Sequence, residues 1–266
     1  MLIKNLIYIL QSENYDISRF LKYAYTHYCW WDLEKRQKIK WTSKAILLCI
    51  VSLILSIALL IITFLNLQIF AAMIIAVIII LSLPLIIALS LALILPIDIA
   101  AKKRILKKAK NILEKKRAEN KLIVIGIAGS FGKTSAKEIL YAILKEKFET
   151  VKTPENINTD LGVANFIIEK LGNEEIFIVE MGAHHRGDIQ ILCDLVRPDY
   201  SMLTGVGYSH LERFGSFDSL IEEKFVLPQN TRKISVLNAD SDLINNYQNK
   251  LKLPGTKNVS KSMASE

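Results

Sequence analysis

The sequence predicts an α/β fold, a parallel-sheet P-loop domain, preceded by a two-helix transmembrane hairpin. Three observations carry that prediction. Residues 45–97 form an apolar block without one charged side chain, longer than any soluble core element requires. From residue 122 onward, short apolar runs alternate with helical stretches, the pattern of a parallel sheet covered by helices. Between the first run and the first helix stands Val124-Ile125-Gly126-Ile127-Ala128-Gly129-Ser130-Phe131-Gly132-Lys133-Thr134, a strand joined to a helix through a glycine-rich turn.

The N-terminal residues 1–44 carry apolar side chains at helical spacing, Leu6, Ile9 and Leu10, then Ile17, Phe20, Leu21 and Tyr25, with a polar break at residues 12–16. Two short amphipathic helices are expected. Tyr23, Tyr25, Tyr28, Trp30, Trp31 and Trp41 precede the apolar block, as rings at a membrane interface do and as ordinary packed helices also do. No cleavable leader is expected, because the long apolar block starts far from Met1.

Ala45 to Leu65 is a 21-residue charge-free run, about 31 Å as a helix at about 1.5 Å per residue, enough to cross a hydrocarbon core. After Asn66-Leu67-Gln68 the run resumes from Ile69 to Leu95, with Pro84 as a kink site. Residues 45–97 are thus expected to be a helical hairpin, two spans of a multi-pass protein. Lys35, Arg36, Lys38, Lys40 and Lys44 precede it, and Lys102, Lys103, Arg104, Lys107, Lys108 and Lys110 follow. The positive-inside rule places both flanks, and the domain beyond, on the cytoplasmic side of the cytoplasmic membrane. Residues 98–121 read as a basic helical connector at the anionic leaflet surface.

The charge belongs to this first part. Residues 1–121 hold 18 Lys/Arg against 7 Asp/Glu, net +11, and residues 122–266 hold 16 against 19, net −3, which accounts for the +8 of the whole chain. A nucleic-acid partner loses its main support. Cys29, Cys49 and Cys193 are odd in number and lack C-x-x-C spacing, so neither a disulfide framework nor a zinc site is indicated.

Residues 122–253 read as the α/β domain, with strands at 122–127, 149–152, 176–180, 200–204 and 233–237 and helices at 134–147, 160–171, 187–196 and 217–226. Residues 254–266 read as a polar tail. The turn after the first strand departs from the strict G-x-x-x-x-G-K-[ST] pattern, because Ile127 stands where its first glycine belongs. Its chemistry remains that of a phosphate cradle. The N–H groups of Gly129, Ser130 and Gly132 and the positive helix end face an anion, Lys133 neutralises β/γ oxygens, and Thr134 reaches Mg2+. A structural turn with a surface lysine has the same composition.

Ligands of parallel sheets bind at the carboxyl ends of the strands, where the other suggestive residues fall. Glu180 closes Ile176-Phe177-Ile178-Val179, Asn156 and Asn158 follow the strand near Val151, and His210 follows the strand ending near Thr204. Each has a bland alternative: a strand-end Glu caps a neighbouring helix, and a lone His is more often structural than a ligand.

Six segments in order, Gly126–Glu138, Thr153–Val163, Val179–Asp188, Ser209–Ser216, Lys224 and Asn238-Ala239-Asp240, resemble the Mur ligase family, and within it the branch that adds a dipeptide. The resemblance covers most of residues 122–245. It implies the family's central ATPase domain and an ATP-dependent carboxylate-amine ligase of peptidoglycan precursor synthesis, working through an acyl phosphate. It further implies ATP and Mg2+ as cofactors and a UDP-linked or lipid-linked precursor as partner, in addition to the lipid bilayer. Lys133, Lys224 and His210 would be catalytic. Gly129, Ser130, Gly132, Lys133, Thr134, Asn156 and Asn158 would hold the nucleotide. Thr134 and Glu180 would hold one Mg2+, and His210 with Lys224, as a carbamate, a second. On an acidic helix Lys224 could instead be a solvated lysine paired with Glu222 or Glu223. His185 lies in a family segment, whereas His184 has no assigned role.

The chain also departs from the family. Ala164 and Thr159 replace the usual Pro and Asn. The hairpin stands where the UDP-sugar domain belongs, and the late ATPase and C-terminal segments have no counterpart. The expectation is a truncated or split product, one that takes its missing domain from a separate chain, or an incomplete nucleotide-binding membrane scaffold.

Overall fold

The structure is a computed structural model, and it describes residues 2–13, 15–26, 39–66, 69–207, 211–251 and 256–259. The chain divides into two compact units, Met1–Ala101 and Lys102–Glu266.

In the first unit, α1 (Leu2–Ser12) and α2 (Ile17–Thr26) are the two amphipathic helices expected. Their apolar faces, Leu6, Leu10 and Phe20 among them, bury against Leu48, Ile87 and Leu91 of the helices that follow. Helix α3 (Ser43–Asn66) begins where the Thr42 hydroxyl accepts the Ala45 N–H at 3.2 Å, an N-terminal cap. Helix α4 (Ile69–Leu81) stops at Ser82, and α5 starts at Leu83 with Pro84 in its first turn. Ser82 still donates to the Ile78 carbonyl at 2.9 Å. Proline has no N–H and clashes with the preceding turn, so the interruption is confined to this point.

The long helices are fastened by polar pairs. Ser52 donates to Ser90 at 3.1 Å in a buried contact, and Lys44 pairs with Asp98. Each pair lies eight residues from the other along its own helix, so α3 and α5 run antiparallel in register. The opposite faces are apolar and exposed: Ile54, Ile62, Ile78, Leu89 and Ile97 are all open. The ring of Tyr25 is exposed and Trp41 is half exposed. Tyr28, Trp30 and Trp31 lie outside the described residues.

Helix α5 runs on to Asn120, so the basic segment expected as a separate connector is its second half. No glycine or proline occurs between Pro96 and Asn120 to stop it. In the second unit this half buries Ala109 and Leu113 in the main core. Lys103, Arg104, Lys107 and Lys108 are exposed on its other side.

The second unit then alternates strand and helix: β1 (Ile123–Ala128), α6 (Lys133–Leu144), β2 (Thr150–Lys152), α7 (Asp160–Lys170), β3 (Ile176–Glu180), α8 (Asp188–Val196), β4 (Tyr200–Leu203), α9 (Leu211–Phe214), α10 (Phe217–Gln229), β5 (Ile234–Asn238), α11 (Asp242–Leu251) and β6 (Thr256–Val259). All strand pairs are parallel, in the order β2-β3-β1-β4-β5-β6. The expected five strands and four helices are present within a few residues. Helices α9 and α11 are additional, and residues 256–259, expected in a polar tail, form an edge strand on β5. Nothing in Thr256-Lys257-Asn258-Val259 alternates strongly enough to announce a strand, and the pairing edge of β5 supplies what the sequence pattern lacks.

The two faces of the sheet follow the period of two. Val124, Ala128, Phe177 and Val179 point into the main core with α7, α8 and α10. Ile127, Ile176 and Ile178 point the other way, against Leu140 and Tyr141 of α6. Because Glu180 continues the series 176, 178, 180, it emerges on the α6 side at the carboxyl end of β3.

Candidate active site

The site lies at the carboxyl end of β1, between its neighbours β3 and β4, where the chain passes from one side of β1 to the other. Such switch points leave a crevice for ligands. Residues 129–132 turn there into α6, whose cap Gly132 has the left-handed φ of 76° that favours glycine.

This turn is tied to the chain leaving β4. Ser130 donates its N–H to the Gly205 carbonyl at 2.8 Å and its hydroxyl to the Gly207 carbonyl at 3.2 Å. Thr204 donates to the Phe131 carbonyl at 2.5 Å. Lys133 folds back over the turn and donates to the Gly129 carbonyl at 2.8 Å. Burial holds its ammonium pKa below the usual value, partly offset by the charge of Glu180.

Glu180 is the hub. Thr134 donates to its Oε2 at 3.0 Å, Lys137 Nζ stands 3.1 Å from the same oxygen, and Asn158 donates to Oε1 at 3.2 Å. Its own N–H goes to the Thr153 hydroxyl at 3.0 Å. Burial pushes the carboxyl pKa up, but hydrogen bonds from Lys137, Asn158 and Thr134, with the Lys137 charge, outweigh it and hold the group below its usual value. Gly182 makes the Asn158 contact possible, since a Cβ there would stand 2.8 Å from the Asn158 side chain.

Most expected residues are brought together: Gly129, Ser130, Gly132, Lys133 and Thr134 in the turn, with Glu180 and Asn158 against it. Asn156 lies in the same loop as Asn158, exposed at a left-handed φ of 64°, while Asn158 makes the contact to Glu180. His210 lies outside the described residues. The amides of His184 and His185 both donate to Asp188 at 2.8 Å, which ties this pair to the start of α8.

Lys224 differs from a solvated lysine. It is 5% exposed, and the two acidic neighbours have other partners. Glu222 takes Arg186 at 2.5 Å, and Glu223 accepts the Gly187 and Ile189 amides at the start of α8, each at 2.7 Å. Burial first, and then repulsion from Lys133, lower the Lys224 pKa to about 8, against the attraction of Glu223 and Asp188. Lys133 and Lys224 are thus close enough to feel each other's charge.

Sequence reasoning missed Lys137, Thr153 and Thr204. Lys137 stands three residues after Thr134, on the same helical face, opposite the series 176, 178, 180. That spacing was the available signal. The donor set of Thr134 hydroxyl and Glu180 carboxylate fits a hard cation such as Mg2+, which takes one or two protein oxygens and completes its shell with phosphate and water.

The sequence matches the family described as Mur ligase middle domain over residues 127–266. The chain is 35% identical over 118 residues to a UDP-N-acetylmuramoyl-tripeptide--D-alanyl-D-alanine ligase of Borreliella burgdorferi, covering 44% of this chain and 25% of that protein. The Escherichia coli protein of the same name is 34% identical over 129 residues, covering 47% and 28%. Among solved structures, the chain is similar to the MurF ligase of Thermotoga maritima in complex with ADP, with TM-score 0.51, 31% identity and coverage of 58% of this chain and 36% of that one. The chain therefore spans about a quarter of the length of these curated relatives.

A pH-dependent stability follows from Lys224. A lysine whose folded pKa, about 8, lies below its ordinary 10.5 binds fewer protons folded than unfolded between those values. Stability from this group therefore rises with pH across about 8 to 10.5 and is flat below. Thermal unfolding of wild type and Lys224→Met between pH 7 and 10 should show that the variant lacks this rise; parallel pH profiles would contradict the burial of Lys224.

Proposed function

The chain belongs to the Mur ligase family through its middle domain, and on that premise we propose that it is the nucleotide-binding part of a membrane-anchored, ATP-dependent ligase of peptidoglycan precursor synthesis. The observation that carries this reading is the convergence of Lys133, Thr134, Asn158 and Glu180 at one sheet end. The names of the relatives suggest addition of D-alanyl-D-alanine to a muramoyl tripeptide, on a UDP-linked or a lipid-linked acceptor.

In the proposed reaction a precursor carboxylate attacks the γ-phosphorus of ATP, forming an acyl phosphate and releasing ADP. An amine then attacks the acyl carbon and phosphate leaves. The turn Gly129–Gly132 and the α6 end receive the polyphosphate. Lys133, moving from the Gly129 carbonyl to the β/γ oxygens, offsets the charge that develops there. Thr134 and Glu180 would hold Mg2+, which would supply neutralisation of the polyphosphate charge. Asn156 and Asn158 border the nucleotide.

The lowered pKa of Lys224 leaves part of its amine neutral near pH 7. Its nitrogen can add to CO2 with loss of a proton, giving a carbamate whose oxygens, with His210, suit a second hard cation.

Membrane anchoring rests on α3 and α5. Ser43–Ile62 has a mean hydropathy of 3.2 with 22% of it buried. A core helix of a soluble protein hides its apolar side chains; here they face outward. The basic residues before α3 and after residue 101 support an orientation with both ends, and the second unit, in the cytoplasm.

Two measurements test these readings. Calorimetry on the full chain in detergent should show MgATP binding that Lys133→Ala weakens at least about tenfold, since a phosphate-contacting charge is lost; equal binding would make the turn merely structural. For topology, in a background lacking Cys29, Cys49 and Cys193, a cysteine at position 67 should react with an impermeant maleimide on whole cells and one at position 115 should not. The reverse pattern would overturn the orientation.

A further inference from the structure

Lys137 is 0% exposed and Glu180 4%. A fully buried lysine is rare and persists only when its charge is matched. Its Nζ touches Glu180 Oε2 at 3.1 Å and donates to the Pro154 carbonyl at 3.4 Å, which anchors it to the loop bearing Asn156 and Asn158. The oxygen it occupies is the one that accepts the Thr134 hydroxyl, the side of the carboxylate that faces the phosphate turn. Lys133 adds a second positive charge within electrostatic reach of Glu180. Among the described residues no group of three His, Cys, Asp or Glu side chains gathers to hold a metal. A bare divalent cation arriving here meets one carboxylate whose charge is already matched by a buried ammonium.

We propose that Lys137 is a positioning residue, the resident counter-ion of Glu180, and that it makes the divalent cation enter this site with the nucleotide phosphates rather than ahead of them. This rests on the reading of Thr134 and Glu180 as metal ligands. Mg2+ gives up water reluctantly and needs net negative charge to do so. Lys137 withholds that charge until a polyphosphate supplies it. The ammonium also keeps Oε2 beside Thr134 while the cation is away, so the donor pair is in place when nucleotide arrives. An ion pair with a purely structural role would leave the affinity for the cation alone unchanged when the ammonium is removed.

The test is Mn2+ binding to the full chain in detergent, read from the electron paramagnetic resonance signal of free Mn2+, with and without saturating ADP. Wild type should bind Mn2+ on the order of a hundredfold more tightly with ADP. Lys137→Met, which leaves the Glu180 charge bare, should bind Mn2+ alone about tenfold more tightly than wild type, because a unit charge a few ångströms from a divalent ion is removed. Lys137→Arg, which keeps the charge if the neutral variant fails to fold, should retain the ADP dependence. Wild-type affinity equal with and without ADP, a folded Lys137→Met with unchanged affinity for Mn2+ alone, or a folded Lys137→Arg without ADP dependence would overturn the inference. Absence of Mn2+ binding even with ADP would instead overturn the assignment of Thr134 and Glu180.

Discussion

The buried carboxylate of Glu180 is the constraint around which the α/β unit arranges its candidate site. It joins three segments distant in sequence: α6 through Thr134 and Lys137, the loop after β2 through Asn158 and Thr153, and β3 itself. A carboxylate removed from water requires donors for both oxygens; α6 delivers those for Oε2 and the loop after β2 delivers Asn158 for Oε1. The period of two along β3 turns residue 180 toward α6, the helical period places residues 134 and 137 on one face, and Gly182 leaves room for Asn158. Unsettling any of these elements would strand a buried charge.

The rest of the site is tied to that hub indirectly. Hydrogen bonds between residues 129–131 and 204–207 hold the phosphate turn against the exit of β4. The same exit leads on to α10, where Lys224 is buried. Glu223 beside it is spent on the amides that open α8. Burial, and then the charge of Lys133, lower the pKa of Lys224, and the nearby charges of Glu223 and Asp188 offset this only in part.

Much of this was legible in the sequence, for physical reasons. The apolar run Ile176-Phe177-Ile178-Val179 announces a buried strand that ends at Glu180, and the glycine turn with Lys133 and Thr134 marks a candidate phosphate cradle. Lys137 was not legible as a buried charge, because a lysine on an amphipathic helix ordinarily reads as solvated; only the emergence of Glu180 on the α6 side of the sheet reveals its partner. The extension of α5 to Asn120 was hidden by the change from apolar to basic composition, which alters the surroundings of a helix without ending it. The short strand Thr256–Val259 depends on the free edge of β5 rather than on its own pattern.

If the Lys137–Glu180 pair organises the site, the two residues must be strongly coupled in stability. A double-mutant cycle on thermal unfolding of the full chain, with Lys137→Met, Glu180→Gln and both together, measures that coupling. Each single change should cost about 3–5 kcal/mol, because it leaves an uncompensated buried charge, and the double should cost far less than their sum. Costs that add to within about 0.5 kcal/mol would show that the pair is incidental and contradict the account.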